Sequence, residues 1–328
     1  MNAAAAAVWA SRDAELDEVL AGLSANPPRV APRYFYDARG SHLFGKITET
    51  PEYYPTRTEL AILRERGAEI AAHIGRPGAA NAAGGWAVIE LGSGSGEKVL
   101  ALLSHLGAVS AYRPIDISAT AVDATAAAVR QSRPALDVRP YRGDFTDPNA
   151  YAGLPAGAPK LVYYSGSTIG NFEPADAVRF LRELRAQLAP GDCLLLATDL
   201  IKDAAVLDRA YNDRAGYTAA FNKNLLTHLN ARFGADFMVE AFDHHAFYNH
   251  AKRRIEMHLV PSSVQRVHIG GETFTFQRSR PIHTECSYKF DRDQLRSLAE
   301  KSGFTLTGIV TDERDWFAES VMHVPGAA

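Results

Sequence analysis

Cysteine is nearly missing from this chain: Cys193 and Cys286 are the only two in 328 residues, and they stand far apart. A disulfide framework and a cysteine-ligated zinc site are therefore not expected, and a reducing, cytoplasmic setting is. Long apolar runs are missing too. Ala3 to Ala10 is too short to span a bilayer and has no basic flank, so a frayed start is expected rather than a membrane span or a leader. Charge of either sign is not in excess, and a net charge of -3 gives no reason to expect nucleic acid or an acidic membrane surface as partner. There is no internal repeat, no low-complexity linker, no H-E-x-x-H, and no Ser-His-Asp or cysteine-nucleophile motif. His244, His245, His250, His258 and His283 gather in one region without a regular ligand spacing, so no metal is expected. What remains is ordinary for a soluble globular protein, with 46% hydrophobic and 22% charged residues and a length suited to one large domain or two modest ones.

The chain is organised around Trp86 to Lys98, W-A-V-I-E-L-G-S-G-S-G-E-K. Val88 to Leu91 reads as a short buried strand with one acid, Glu90, near its end. The chain then turns through Gly92, Gly94 and Gly96 and enters a segment with helical spacing of Val99, Leu100, Leu102 and Leu103. Strand, glycine turn and helix make the first unit of a Rossmann-like sheet, where a ligand lies against the turn and the helix N-terminus. Glycine is needed where a Cβ would keep ligand from backbone. A dinucleotide fingerprint would put glycine at residue 97, which is Glu. The pattern acid-Leu-Gly-x-Gly-x-Gly instead resembles the first motif of S-adenosylmethionine-dependent methyltransferases.

In chain order, Asp13 to Leu23 reads as an amphipathic helix, followed by a Pro- and Gly-rich loop holding Tyr34, Phe35 and Tyr36. Those rings either fold back onto the core or line a site. Ser41 is a candidate cap for a short helix, and Thr56 with Glu59 a capping box opening a long helix to about His73. After the glycine turn, strands at 111–117, 137–141, 161–164 and 193–198 alternate with helices at 119–132 and 174–189, which implies a parallel sheet. From Leu200 the alternation breaks: 203–233 looks helical, 253–277 reads as strands with a turn at Gly270-Gly271, and 282–290 is a further strand. A helix at 291–302 and strands at 304–310 and 316–323 return to the sheet as an antiparallel edge. The expected fold is α/β: a Rossmann-like, seven-stranded class I methyltransferase sheet, with a second, smaller α+β lobe. The methyltransferase domain is expected at 55–199 and 287–328, and the substrate-binding lobe at 10–54 and 200–286.

Ligand residues of such a sheet sit just past the strand C-termini. Asp116 is 20 residues past Gly96 and can accept two ribose hydroxyls. Asp144 can accept an adenine amino group while Phe145 flanks the base; the alternative is a turn Asp capping the next segment. Lys98 either meets a cofactor carboxylate or is a solvated residue of the first helical turn. Ser165 to Asn171 also falls just past a strand end.

The segments R-Y-F-Y-D-A-R-G-S, P-E-Y-Y-P-T-R-T-E, E-L-G-S-G-S-G-E-K, G-S-T-I-G-N-F, A-Y-N-D, R-I-E-M-H-L and H-T-E-C-S-Y-K-F run in order from about residue 31 to residue 290. Together they resemble the histidine Nα-methyltransferases of ergothioneine biosynthesis. The resemblance implies S-adenosylmethionine as methyl donor, S-adenosylhomocysteine as its product, L-histidine as substrate and its trimethylated betaine, hercynine, as the end product. It implies cofactor contacts from Gly92, Gly94, Lys98, Asp116, Asp144 and Phe145. Around the amino acid it places Tyr36, Tyr53, Asn171, Tyr211, Met257, Glu285 and Ser287, with Asn171 and Tyr36 at the reacting amine. Glu285 and Ser287, two apart on an expected strand, share a face and can satisfy the two nitrogens of an imidazole, while Cys286 points away. Met257 is either an apolar wall or ordinary core. The nearest rival is an Nα-methyltransferase of another aromatic amino acid such as tryptophan; a nicotinamide oxidoreductase and a silent cofactor-binding module are more distant. A monomer is the simplest expectation.

Overall fold

The computed structural model describes residues 12–75, 85–155 and 157–326, so the apolar start Ala3 to Ala10 lies outside the described residues. The chain divides into two compact units, Met1–Tyr54 with Lys202–Ser287, and Pro55–Ile201 with Tyr288–Ala328. Ser287 thus falls with Glu285 in the smaller unit. The strands are β1 (Trp86–Leu91), β2 (Val109–Asp116), β3 (Asp137–Val138), β4 (Tyr141–Arg142), β5 (Lys160–Tyr164) and β6 (Cys193–Asp199). They continue as β7 (Phe242–Asn249), β8 (Arg254–Pro261), β9 (Gln265–Ile269), β10 (Glu272–Phe276), β11 (Ile282–Tyr288), β12 (Thr305–Thr311) and β13 (Phe317–His323).

The larger unit is built on one sheet in the order β12-β13-β6-β5-β1-β2-β3, with β4 also paired to β2. β1 runs parallel to β2 and β5, and β5 parallel to β6, whereas β13 is antiparallel to both β6 and β12. Every residue of β1 and of β6 is buried, the unbroken pattern of strands covered on both faces. Because successive side chains alternate, two cores form. Val88, Leu161, Tyr163 and Leu195 pack with Ile62, Ile70 and Leu102 on one face. Ile89, Val162, Tyr164 and Leu196 pack with Phe180, Leu184 and Leu298 on the other.

Two expectations for this unit need correction. The strand at 137–141 is two short pieces, since Pro140 between them has no N–H to give a ladder, and Arg139 donates its own to the Tyr112 carbonyl at 2.8 Å. The helix from Thr56 to His73 is two helices, Pro55–Glu65 and Gly67–Ile74. Arg66 breaks it, reaching away to the Thr311 carbonyl at 2.6 Å, and Gly67 lies so close to the His105 ring that a Cβ would come within 2.1 Å of it. Glu59 is no capping residue but is fully buried.

The smaller unit holds a sheet in the order β11-β8-β7 and a β9–β10 hairpin turned at Gly270 and Gly271, both with positive φ. Helix Ala38–Glu49 is capped by Asp37, whose Oδ1 accepts from Gly40 N at 2.7 Å, not by Ser41. An acid at the N-cap, reaching forward three residues, does this where a hydroxyl already inside the helix cannot. The helical stretch 203–233 is interrupted: Ala204–Ala210 ends, and Asp213 and Gly216 start Tyr217–Phe233, with Asp213 accepting from Tyr217 N at 2.9 Å and Thr218 N at 2.7 Å. β7 had no counterpart in the sequence reading, because its F-D-H-H-A-F-Y-N hides its period of two behind partly exposed histidines. Within this unit the Arg254 guanidinium and the Glu256 carboxylate, both nearly buried, pair at 2.8 Å.

Burial resists ionisation of Glu256, but the hydrogen bond and charge of Arg254, then His258 and Lys252, outweigh it and hold its pKa down at about 2. A carboxyl depressed this way stabilises the fold above its ordinary value near 4.5 and loses that contribution as pH falls toward 2. Glu256→Gln should therefore lower stability in urea unfolding by roughly 3–5 kcal/mol at neutral pH, with the difference shrinking below pH 4.5. An unchanged urea midpoint at pH 7 would contradict this.

Candidate active site

The glycine turn leaves β1 at Leu91 and opens the helix Glu97–His105. Gly92, Gly94 and Gly96 all have positive φ, and a Cβ on Gly92 or Gly94 would meet nothing within 4 Å. These two positions require glycine for their backbone conformation, and they leave open room beside the main chain. Thr125 Oγ1 braces the turn by donating to the Gly94 carbonyl at 3.0 Å. Ser93 Oγ is buried in the turn with no hydrogen-bond partner among the described residues.

Asp116, the last residue of β2, faces this turn. Burial pushes its pKa up, and the N–H groups of Ser118, Gly94, Ser93 and Ile117 pull it back. Its carboxyl therefore shapes the turn as well as ending the strand. Asp144 follows β4, and its Oδ1 accepts both the Thr146 N–H and the Thr146 hydroxyl at 2.8 Å. The turn-capping role considered for Asp144 is thus realised on one oxygen. The Phe145 ring is anchored edge-on by Tyr164 and Phe180, at 5.4 and 5.5 Å.

Lys98 is not merely solvated: its ammonium donates to Glu59 Oε2 at 2.6 Å, with the lysine side chain 19% exposed and the glutamate 0%. Glu59 also accepts the Tyr163 hydroxyl at 2.7 Å and the Gly166 N–H at 3.0 and 3.1 Å. The sequence reading missed this residue. A signal was there, since Glu59 shares the apolar face of its helix with Ile62 and Leu63, where an acid demands partners. Gly166 begins the loop that ends at Asn171, a half-buried residue at the close of a single 3₁₀ turn, Thr168–Asn171. The loop is locked: Ser167 has φ 58° and its hydroxyl accepts from Asp199 N at 2.9 Å, and a Cβ on Gly170 would come within 2.8 Å of the Tyr288 carbonyl. Asp199 itself pairs with Lys289 at 2.8 Å, both fully buried, a second ion pair the sequence did not reveal.

The smaller unit brings four of the remaining candidates into one chain of contacts. Tyr36 and Tyr53 each pack edge-on against Phe44, at 5.9 and 6.2 Å, and Tyr53 packs edge-on against Tyr211 at 6.2 Å. The Tyr211 hydroxyl donates to Ser287 Oγ at 2.9 Å. Glu285 lies half-buried two residues earlier on β11, and Met257 on β8 is fully buried. Asn171 belongs to the larger unit. Of the histidines, His244 is engaged by Asn222 and the Tyr211 carbonyl, at 2.9 and 3.0 Å. His258 and His283 meet Glu256 with ligand atoms within 4.8 Å of one another, a grouping the spacing did not show. The same carboxylate already carries the Arg254 guanidinium.

A parallel sheet with an antiparallel closing pair, an open glycine turn and acids after successive strands define the S-adenosylmethionine-dependent methyltransferase class. The turn fits that cofactor, having room at Gly92 and Gly94 and the cationic Lys98 in the adjoining helical turn. Residues 15–324 match the family described as "Histidine-specific methyltransferase, SAM-dependent". The chain is 40% identical over 309 residues to the histidine N-alpha-methyltransferase of Mycobacterium tuberculosis, covering 93% of each. It is 33% identical over 219 residues to ergothioneine biosynthesis protein 1 of Neurospora crassa, which covers 65% of this chain and 24% of that one. A 4-dimethylallyltryptophan N-methyltransferase of Claviceps fusiformis is 28% identical over 316 residues, 88% of this chain and 85% of that one. The chain belongs to the histidine-specific, S-adenosylmethionine-dependent methyltransferases.

Beneath the turn, Glu90 is fully buried and accepts the Tyr112 hydroxyl. Burial pushes its pKa up to about 8, against the favourable Tyr112 hydrogen bond and Lys98 charge. The folded chain therefore keeps a proton that the unfolded chain releases near 4.5, and stability falls as pH rises from there to about 8. Glu90→Gln should gain on the parent in melting temperature between pH 5 and pH 8. A difference that does not change with pH would contradict this placement of the proton.

Proposed function

We propose that this enzyme transfers three methyl groups in succession from S-adenosylmethionine to the α-amino nitrogen of L-histidine, giving hercynine for ergothioneine biosynthesis. The observation that carries the reading is the match of 15–324 to a histidine-specific family, and the Tyr211–Ser287 hydrogen bond beside Glu285 supports it. The bound sulfonium supplies an electrophilic methyl. The Gly92 and Gly94 backbone would lie along the cofactor and Lys98 would face its carboxylate. Asp116 would take the ribose hydroxyls, and Asp144 with Phe145 the adenine. Asp144 Oδ1 holds Thr146, so its Oδ2 would take that amino group.

For the amino acid, Asn171 and Tyr36 would hold the amine, Tyr211 the carboxylate, and Glu285 with Ser287 the imidazole, with Tyr53 beside the amino acid and Met257 as an apolar wall. These partners offer hydrogen bonds without requiring the amine to stay protonated, and orienting two bound reactants supplies on the order of 7–11 kcal/mol. An indole offers one N–H and no acceptor, so the Glu285–Ser287 pair favours histidine over a tryptophan-type substrate. The enzyme would work as a cytoplasmic monomer without a metal or nucleic-acid partner. Buried thiols at Cys193 and Cys286 support a reducing compartment. Among the described residues no helix is long and apolar enough to cross a membrane.

With excess methyl donor and a nucleosidase to remove S-adenosylhomocysteine, histidine should run through to its trimethyl betaine in mass spectrometry. A monomethyl end product would refute successive transfer, since each intermediate amine keeps a lone pair once deprotonated and the quaternary product has none. A hydrogen bond to a charged group contributes about 1.5–3 kcal/mol, so Glu285→Ala should lose roughly ten- to more than a hundredfold in preference for histidine over tryptophan. Undiminished preference would place the imidazole elsewhere.

A further inference from the structure

We infer that Glu59 is a positioning residue that holds the cofactor-facing lysine and the Asn171 loop on one carboxylate. The inference rests on the reading that Lys98 faces the carboxylate of S-adenosylmethionine. Three donors converge on Glu59 from three different elements. Lys98 comes from the first turn of the helix that follows the glycine turn, at 2.6 Å. Tyr163 comes from β5, at 2.7 Å. The third is the Gly166 N–H, shared by both carboxylate oxygens at 3.0 and 3.1 Å. Gly166 has φ 73°, and the ammonium of Lys98 would stand 3.6 Å from a Cβ placed on it, so the lysine lies directly over the start of the loop that ends at Asn171.

A purely structural ion pair would not need this arrangement. An ammonium has three hydrogens, and Glu59 takes one of them. Lys98 remains 19% exposed while Glu59 is sealed, so the lysine can turn another hydrogen toward a ligand carboxylate without giving up its anchor. The neighbouring acids do not compete for it. Glu90 takes the Tyr112 hydroxyl, and Glu319 on β13 has both oxygens buried without a hydrogen-bond partner among the described residues. A carboxyl so placed stays neutral, since burial pushes its pKa well up and the charge of Glu59 pushes it further. Of Glu59, Glu90 and Glu319, only Glu59 has several donors that stabilise an anion. It therefore sets where the positive charge of Lys98 stands. Through Gly166 it also sets where the loop to Asn171 begins.

The test is calorimetry on the full chain with two ligands: S-adenosylhomocysteine, which carries the amino-acid carboxylate, and 5′-methylthioadenosine, which lacks it. Glu59→Gln should weaken S-adenosylhomocysteine about tenfold and leave 5′-methylthioadenosine unchanged. Lys98→Met should show the same selective loss, and the double variant should lose no more than either alone. Equal weakening of both ligands would reduce Glu59 to a structural role and overturn the inference, as would no change for S-adenosylhomocysteine. Should Glu59→Gln not fold, Glu59→Asp keeps the charge but shortens its reach, and the same selective loss is expected. A parent that binds neither ligand would overturn the functional reading itself, whereas a parent that binds both equally well would leave that reading standing and remove the carboxylate contact.

Discussion

A parallel sheet covered on both faces has nowhere to put polar chemistry except at its strand ends. In this protein β1 and β6 are buried along their whole length, and the side chains of β1, β5 and β6 feed two separate apolar cores. The main chain can leave the sheet toward a ligand only where a turn supplies exposed backbone. That constraint gathers Gly92, Gly94, Asp116 and Gly166 at the C-terminal ends of three neighbouring strands, β1, β2 and β5, and it accounts for the positive φ at each glycine.

Buried charge is an organising device within each unit. Lys98–Glu59 and Lys289–Asp199 in the larger unit, and Arg254–Glu256 in the smaller, are ion pairs with at least one partner almost wholly out of water. Such pairs are weak evidence for stability, because desolvation offsets much of the attraction. Their better attested effect is to fix geometry. Glu59 ties three elements together, and Asp199, beyond pairing with Lys289, donates its N–H to the Ser167 hydroxyl oxygen and so pins the Asn171 loop to the end of β6. Positional precision is what a methyl transfer needs, since the reactants are intrinsically competent and gain most from being held in line.

The repetitive part of this architecture was readable in advance. The βα alternation, the glycine turn, the antiparallel closing pair β12–β13 and the hairpin at Gly270-Gly271 all follow from apolar periodicity and turn chemistry. What stayed hidden were the places where one residue overrides its neighbours. Pro140 splits a strand, Arg66 and Gly67 split a helix, and Asp37 takes a cap that Ser41 could have supplied. Glu59 looked like half of a capping box because local spacing cannot show that its partners lie 39 and 107 residues away. The seven motif segments carry the substrate-side residues. Tyr53, Tyr211 and Ser287 touch in series, but Tyr36 joins Tyr53 through Phe44, a ring that the motifs do not include.

The central claim is that this geometry selects histidine and methylates its α-nitrogen. The most direct measurement incubates the enzyme with S-adenosylmethionine and an equimolar mixture of the twenty amino acids and follows every product by mass spectrometry. Histidine alone should gain mass, by three methyl groups on the α-nitrogen. Preferential methylation of tryptophan or any other amino acid, or histidine left unchanged while the donor is consumed, would contradict the account.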